Sequence, residues 1–140
     1  MRYISIICCL ATLFLHNLAF AEIAVVVHPS NPINDISKSD LSRIYLAKSK
    51  AFSHGPEIQA FDLEKGQDLR DEFYKIVSKK TPYQMEAYWT KLIFTGKAAP
   101  PIVLTNSAEV VLAVSEDTDS IGYVDLESVD GSVKVILTLN

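Results

Sequence analysis

The stretch "FDLEKGQDLRDEF" (Phe61 to Phe73) gathers the residue types most able to do chemistry in this chain. It opens as the end of a strand, turns at a glycine and closes as an amphipathic helix. A strand-loop-helix junction can hold an anion, because first-turn N–H groups lack intrahelical partners and the positive end of the helix dipole faces the loop. A neighbouring Arg or Lys strengthens such a site through charge-assisted hydrogen bonds. Lys65, Gly66, Gln67 and Arg70 supply these elements, while Asp62, Glu64 and Asp68 oppose them. Three readings follow: a working anion site, a reworked one, or only a helix start.

Two other junctions have suitable residues. Ser30-Asn31 follows the first apolar run, and Thr105-Asn106-Ser107 begins the last helix. With Lys65, Gly66, Gln67 and Arg70 they make up the ligand-binding candidates. Ordinary helix capping and turn formation account for the same residue types. Arg70 stands one turn inside its helix, off the apolar stripe of Leu69, Phe73, Ile76 and Val77, and could reach back over Lys65-Gly66-Gln67. Its plainer alternatives are a local pair near Asp71 and Glu72, or solvation. Tyr88-Trp89 is either core or a ligand platform, and its helical spacing with Met85 and Leu92 favours core.

Other chemistries lack their residues. Both cysteines, Cys8 and Cys9, sit in the apolar opening, so no thiol nucleophile or cysteine zinc site is expected in the folded part. Gly96-Lys97 lacks the upstream glycine and the Ser/Thr of a phosphate loop, and no nucleophile-elbow pattern occurs. We expect no metal, no cofactor and no enzymatic activity. The formal net charge of −4, without any Lys/Arg cluster, argues against nucleic acid.

The elements follow from patterning. Arg2, the apolar run Ile4 to Leu15 and Ala19-Phe20-Ala21 predict a cleaved signal peptide over 1–21. The run is too short to span a membrane comfortably, so a periplasmic product over 22–140, not inserted in the membrane, is expected. Glu22 to His28 reads as a strand buried on both faces, ended by Pro29. Ser37 to Asp40 has capping-box spacing before Leu41, Ile44 and Tyr45. Ile58 to Leu63 is a second strand. Thr81-Pro82-Tyr83-Gln84 starts a helix that Gly96 stops. Ala98 to Leu104 reads as an irregular, proline-containing crossover, and Asn106 with Glu109 starts another helix. Ile121 to Leu126 and Val133 to Leu139 are strands, with Asp130-Gly131 a tight-turn signal between them. The order implies one α/β domain with a mixed β-sheet covered by helices.

These residues also carry a resemblance. "IAVVVHPSNPI", "SKSDLSRIYLAKSKAF", "EIQAFDL", "LRDEFYKIV", "YWTKLIFTGKAAPP" and "DSIGYVDL" resemble the second lobe of the phosphate-binding proteins of bacterial phosphate ABC transporters. They are closer to the short, stand-alone secreted proteins of about one lobe named after those transporters. The likeness covers nearly all of Ile23 to Leu139. It implies a single lobe of a type II periplasmic-binding-protein-like fold and a solute-binding role. There are two departures. Full-length members clamp phosphate between two lobes, and this chain is long enough for one. Their matching loop carries an arginine, an aspartate and a Ser-Gly-Thr run, whereas here Gly66 remains but the arginine and hydroxyls are missing. A like-charge contact at about 4 Å costs on the order of 4 kcal/mol at an effective dielectric of about 20. Weak or altered binding of a small anion such as phosphate is therefore expected. The alternative is a non-catalytic envelope interaction module that keeps the lobe as a scaffold for a protein partner or a second copy. A polar pocket ringed by Ser30, Lys65, Arg70 and Ser107 would favour the ligand, and an exposed apolar patch the partner.

Overall fold

The uninterrupted β-branched run near the start forms β1 (Ile23–Val27), every residue of which is fully buried. The computed structural model describes residues 21–53 and 55–140; the expected signal peptide, apart from Ala21, lies outside the described residues, as does His54. After β1 come α1 (Lys38–Tyr45), β2 (Gln59–Leu63), α2 (Asp68–Ser78), α3 (Pro82–Phe94), β3 (Ile102–Leu104), α4 (Ser107–Glu116), β4 (Ser120–Asp125), a 3-10 turn (Leu126–Ser128) and β5 (Lys134–Leu139). The sheet is mixed, in the order β3-β2-β4-β1-β5. Strand β2 pairs in parallel with β3 and β4, whereas β1 runs antiparallel to β4 and β5.

Strand direction decides what can meet. The carboxyl ends of β2, β3 and β4 lie along one edge of the sheet, where helices α2 and α4 begin. Strand β1 points the other way, with Val27 opposite Ile121 and Ile23 opposite Asp125. Residues following β1 therefore lie at the far edge.

Side-chain chemistry sets the helix starts. Ser37 accepts from the Asp40 N–H, Thr81 and Gln84 form a full capping box behind Pro82, and Asn106 accepts from the Glu109 N–H. Met85 and Trp89 are buried on α3, so the tryptophan belongs to the core. Gly96 ends that region in the left-handed conformation, φ +66°.

Three sequence expectations change. The supposed crossover contains β3, a short parallel edge strand pairing Ile102–Leu104 with Phe61–Leu63. Pro100 and Pro101 stop just before it, as befits a sheet edge. The turn at Asp130-Gly131 joins strands that do not pair, because β1 lies between β4 and β5. The buried face of α2 is Arg70, Phe73, Tyr74 and Val77, so Arg70 lies on the core stripe rather than off it.

The helices take opposite faces of the sheet. Helix α4 lies so close to β4 that a Cβ on Gly122 would meet Val110 Cγ1 at 2.5 Å and Val114 Cγ2 at 3.2 Å. Tyr123, one residue on, points to the other face and stacks on Phe73 of α2, ring centroids 3.7 Å apart. Gly122→Ala should destabilise the fold by about 1–3 kcal/mol through overpacking. Thermal denaturation checks this, and Val110→Ala in the same chain should recover part of the loss.

Candidate functional site

The carboxylate of Asp62 lies inside the sheet strand β2, 2% exposed. A buried carboxylate persists only where donors surround it. One oxygen, Oδ1, accepts from the Leu63 N–H at 2.8 Å and from the Tyr123 hydroxyl. The other accepts from the Tyr74 hydroxyl at 2.7 Å and faces Arg70 Nε at 3.5 Å. The guanidinium lies over the Tyr74 ring, 5.0 Å from its centroid. Tyr45 of α1 completes the cluster by donating to the Phe61 carbonyl at 2.9 Å. Burial first, and then the Asp62 charge, push the phenols of Tyr45, Tyr74 and Tyr123 well above their ordinary value of 10.0. All three stay protonated and serve as donors.

This network corrects the reading of Arg70. It neither reaches out over the loop to an external anion nor pairs along its own helix; it is 6% exposed and turned inward to Asp62. Asp62 likewise does not oppose an anion on the surface, because its charge is met inside. The sequence held an unread signal: a charge amid the apolar strand "QAFDL" demands buried partners, and Tyr74 and Tyr123 supply them.

Lys65, Gly66 and Gln67 form the exposed turn between β2 and α2, with Gly66 at φ +88°. Gln67 occupies the N-cap of α2 but makes no capping hydrogen bond. Instead its amide donates to the Thr105 carbonyl at 2.7 Å, tying this turn to the start of α4. The two loops thus share one rim, at the carboxyl ends of parallel strands where α/β sheets commonly bind ligands. The two helix starts differ, however. At α4, Asn106 caps Glu109, the Glu109 carboxylate accepts from the Thr105 N–H at 2.8 Å, and Ser107 Oγ accepts from Asp125 N. Thr105, Asn106 and Ser107 are engaged internally. At α2 the N-cap residue makes no side-chain cap, and among the described residues Lys65 pairs with Glu86 at 3.3 Å, both exposed. Glu64 and Asp68 are exposed on the same turn, and Asp71 lies in the first turn of the helix.

Ser30 and Asn31 lie at the opposite edge. Asn31 is buried; it accepts from the Ile33 N–H at 3.0 Å and donates to the Thr118 carbonyl at 3.1 Å. Ser30 bonds to its neighbour His28, 2.7 Å from Nδ1. The pocket ringed by Ser30, Lys65, Arg70 and Ser107 that would have favoured the ligand does not form, since β1 runs against β4. A groove of about 670 Å³ lies between Pro32–Ser37 and α1 and includes none of the candidates. Among the described residues no helix is long and apolar enough to cross a membrane, and no group of three or more His, Cys, Asp or Glu is placed to hold a metal ion.

With this geometry in place, comparison with solved structures defines the fold. A phosphate ABC transporter substrate-binding protein of Clostridium perfringens, solved with bound phosphate, superposes with a TM-score of 0.67 at 23% identity. That match covers 83% of this chain and 45% of the other. A phosphate transport receptor of Vibrio cholerae gives 0.66 at 20%, covering 83% and 46%, and PstS of Borrelia burgdorferi 0.61 at 17%, covering 84% and 47%. The chain has the α/β architecture of one lobe of such substrate-binding proteins and spans less than half their length. No protein-family profile matches the sequence, and a search of curated proteins found no significant relative.

Two predictions follow from the buried network. Asp62→Asn leaves the Arg70 charge without its counterion and should destabilise by about 3–5 kcal/mol in urea denaturation. Replacing both, as Asp62→Leu with Arg70→Met, should lose less than the two single changes added together. The raised phenol values mean that the fold holds these protons more tightly than the unfolded chain does. Their contribution is complete below pH 10.0 and is lost as pH rises from there toward the raised folded values. In an alkaline titration, phenolate absorbance from Tyr45, Tyr74 and Tyr123 should appear only together with loss of tertiary circular dichroism.

Proposed function

We propose that residues 22–140 act as a periplasmic solute-binding-like domain, exported through a cleaved signal peptide, that takes a small anion such as phosphate weakly at the rim formed by Lys65–Gln67 and Thr105–Ser107. The observation that carries this reading is the uncapped N-terminus of α2 beside Lys65, at the carboxyl end of β2. Its N–H groups and dipole favour an anion, and Gln67 holds the neighbouring loop in register. The solved relatives by fold include one with bound phosphate, which supports the ligand class. Glu64 and Asp68 keep the affinity low by like-charge repulsion, and a single open lobe leaves water competing for every hydrogen bond. No enzymatic role is proposed.

Calorimetry at low ionic strength should show phosphate binding no tighter than millimolar. Asp68→Ser, which removes a repelling charge and adds a donor, should bind about tenfold more tightly, whereas Lys65→Gln should bind more weakly. Micromolar binding by the unaltered protein would overturn the weak-site reading.

A second reading has its own support. On α3 and the edge strand β3, Phe94 is 91% exposed, and Ile93, Ile102 and Val103 are about half exposed. Such apolar exposure beside open strand N–H and C=O groups suits a protein partner, a second copy included. Sedimentation velocity should then show self-association that Phe94→Ser abolishes.

A further inference from the structure

We infer that the protein has a second anion position, buried beneath the Lys65–Gly66 turn and distinct from the exposed rim, which takes a singly charged anion of halide or nitrate size. Helices α2 and α3 leave a cavity of about 50 Å³ between them, lined by Lys65, Gly66, Arg70, Met85, Glu86 and Trp89. Two donors in its wall are unmet. Trp89 is 7% exposed, and among the described residues its buried Nε1 has no acceptor in reach. Arg70 is 6% exposed, and its buried Nε faces Asp62 at 3.5 Å without making a hydrogen bond. Indole and guanidinium nitrogens only donate, so nothing can be gained by turning either group around. Leaving a buried donor unmet is unfavourable, and an acceptor held in the cavity that both residues line would relieve it.

Charge and size narrow the acceptor. The uncapped start of α2 adds its positive end at Gly66, and Lys65 stands at the mouth, paired at 3.3 Å with Glu86. Asp62 offsets the Arg70 charge, but its oxygens already accept from Tyr74, Tyr123 and Leu63. The wall thus offers donors and the positive end of α2, with Pro82 and Met85 as apolar lining. A water occupies about 30 Å³ of liquid, so the cavity admits one or two waters' worth of volume. A halide or nitrate meets that limit; a hydrated dianion does not. Glu86 is the carboxylate that lines the cavity, exposed and able to swing away, while Glu64 and Asp68 lie on the turn above it.

This site rests on the same small-anion chemistry as the proposed function and shares with it the start of α2 and Lys65, but Trp89 and Arg70 belong to the cavity alone, so either site can fail alone. Trp89 is the only tryptophan in the chain, and its emission reports the cavity directly. The protein is titrated with sodium nitrate and with sodium bromide, ionic strength being held with gluconate. A saturable change in Trp89 emission is expected. Glu86→Gln, on the surface and so without risk to folding, should bind several-fold more tightly. Arg70→Lys, which keeps the charge but loses the fork, should bind roughly tenfold more weakly. Phosphate bound at the rim should leave the emission unchanged. Non-saturating collisional quenching, equal responses in the unaltered protein and both variants, or competition by phosphate for the nitrate signal would each overturn the assignment.

Discussion

One carboxylate organises this molecule. Asp62 sits where a strand would ordinarily place an apolar side chain, and a charge in that position is tolerable only if several elements bring donors to it. Helix α2 brings Tyr74 and Arg70, and β4 brings Tyr123. Helix α1 closes over the same face through Tyr45, whose hydroxyl reaches the neighbouring Phe61 carbonyl and whose ring meets Phe73 edge-on, centroids 4.8 Å apart. Each donor fixes a distance and an angle that apolar contact alone would leave free. The orientation of α2 on the sheet, and with it the position of the rim, follows from how Arg70 and Tyr74 reach Asp62.

The opposite face obeys a different constraint. There α4 approaches β4 at Gly122, where the lack of a side chain lets Val110 and Val114 pack against the strand. "IGYV" therefore serves two layers at once. Its glycine admits a helix on one face, and its tyrosine completes a charged network on the other. Alternation along a strand makes this division automatic, because successive side chains point to opposite faces.

How much of this could be read beforehand depended on the range of the interaction. Helix starts were legible because Ser37, Thr81 with Gln84, and Asn106 act within three residues of where they stand. The first strand was legible because an unbroken β-branched run implies burial on both faces, and the burial of Trp89 because its helical spacing with Met85 reports a face directly. Strand β3 was not, since three residues after two prolines become a strand only by pairing with β2. Nor was the separation of Ser30 and Asn31 from the other candidates, which rests on β1 running antiparallel to β4. Arg70 was misread for a related reason. Its type suggests a surface cation, and only the Asp62 carboxylate below it draws the side chain inward. A charge within an apolar strand was a visible sign of that pull, though sequence alone could not say which partner would answer it.

The inward turn of Arg70 has consequences for function. A rim built to hold a dianion needs cations facing outward, and the arginine nearest to it instead neutralises a buried aspartate. What remains on the rim is a helix terminus, one lysine in an exposed pair, and neighbouring acids. Exposed pairs of that kind contribute little, so Lys65 can exchange Glu86 for an incoming anion at small cost. An anion taken at the rim would thus be held by backbone N–H groups open to water rather than by a guanidinium. The same inward turn leaves Arg70 lining, with Trp89, the small cavity between α2 and α3, where water has little access and a donor interacts more strongly. The interaction that stabilises the fold thus moves the strongest donor from a wet surface, where it would recognise a large anion, to a confined one that admits only a small one.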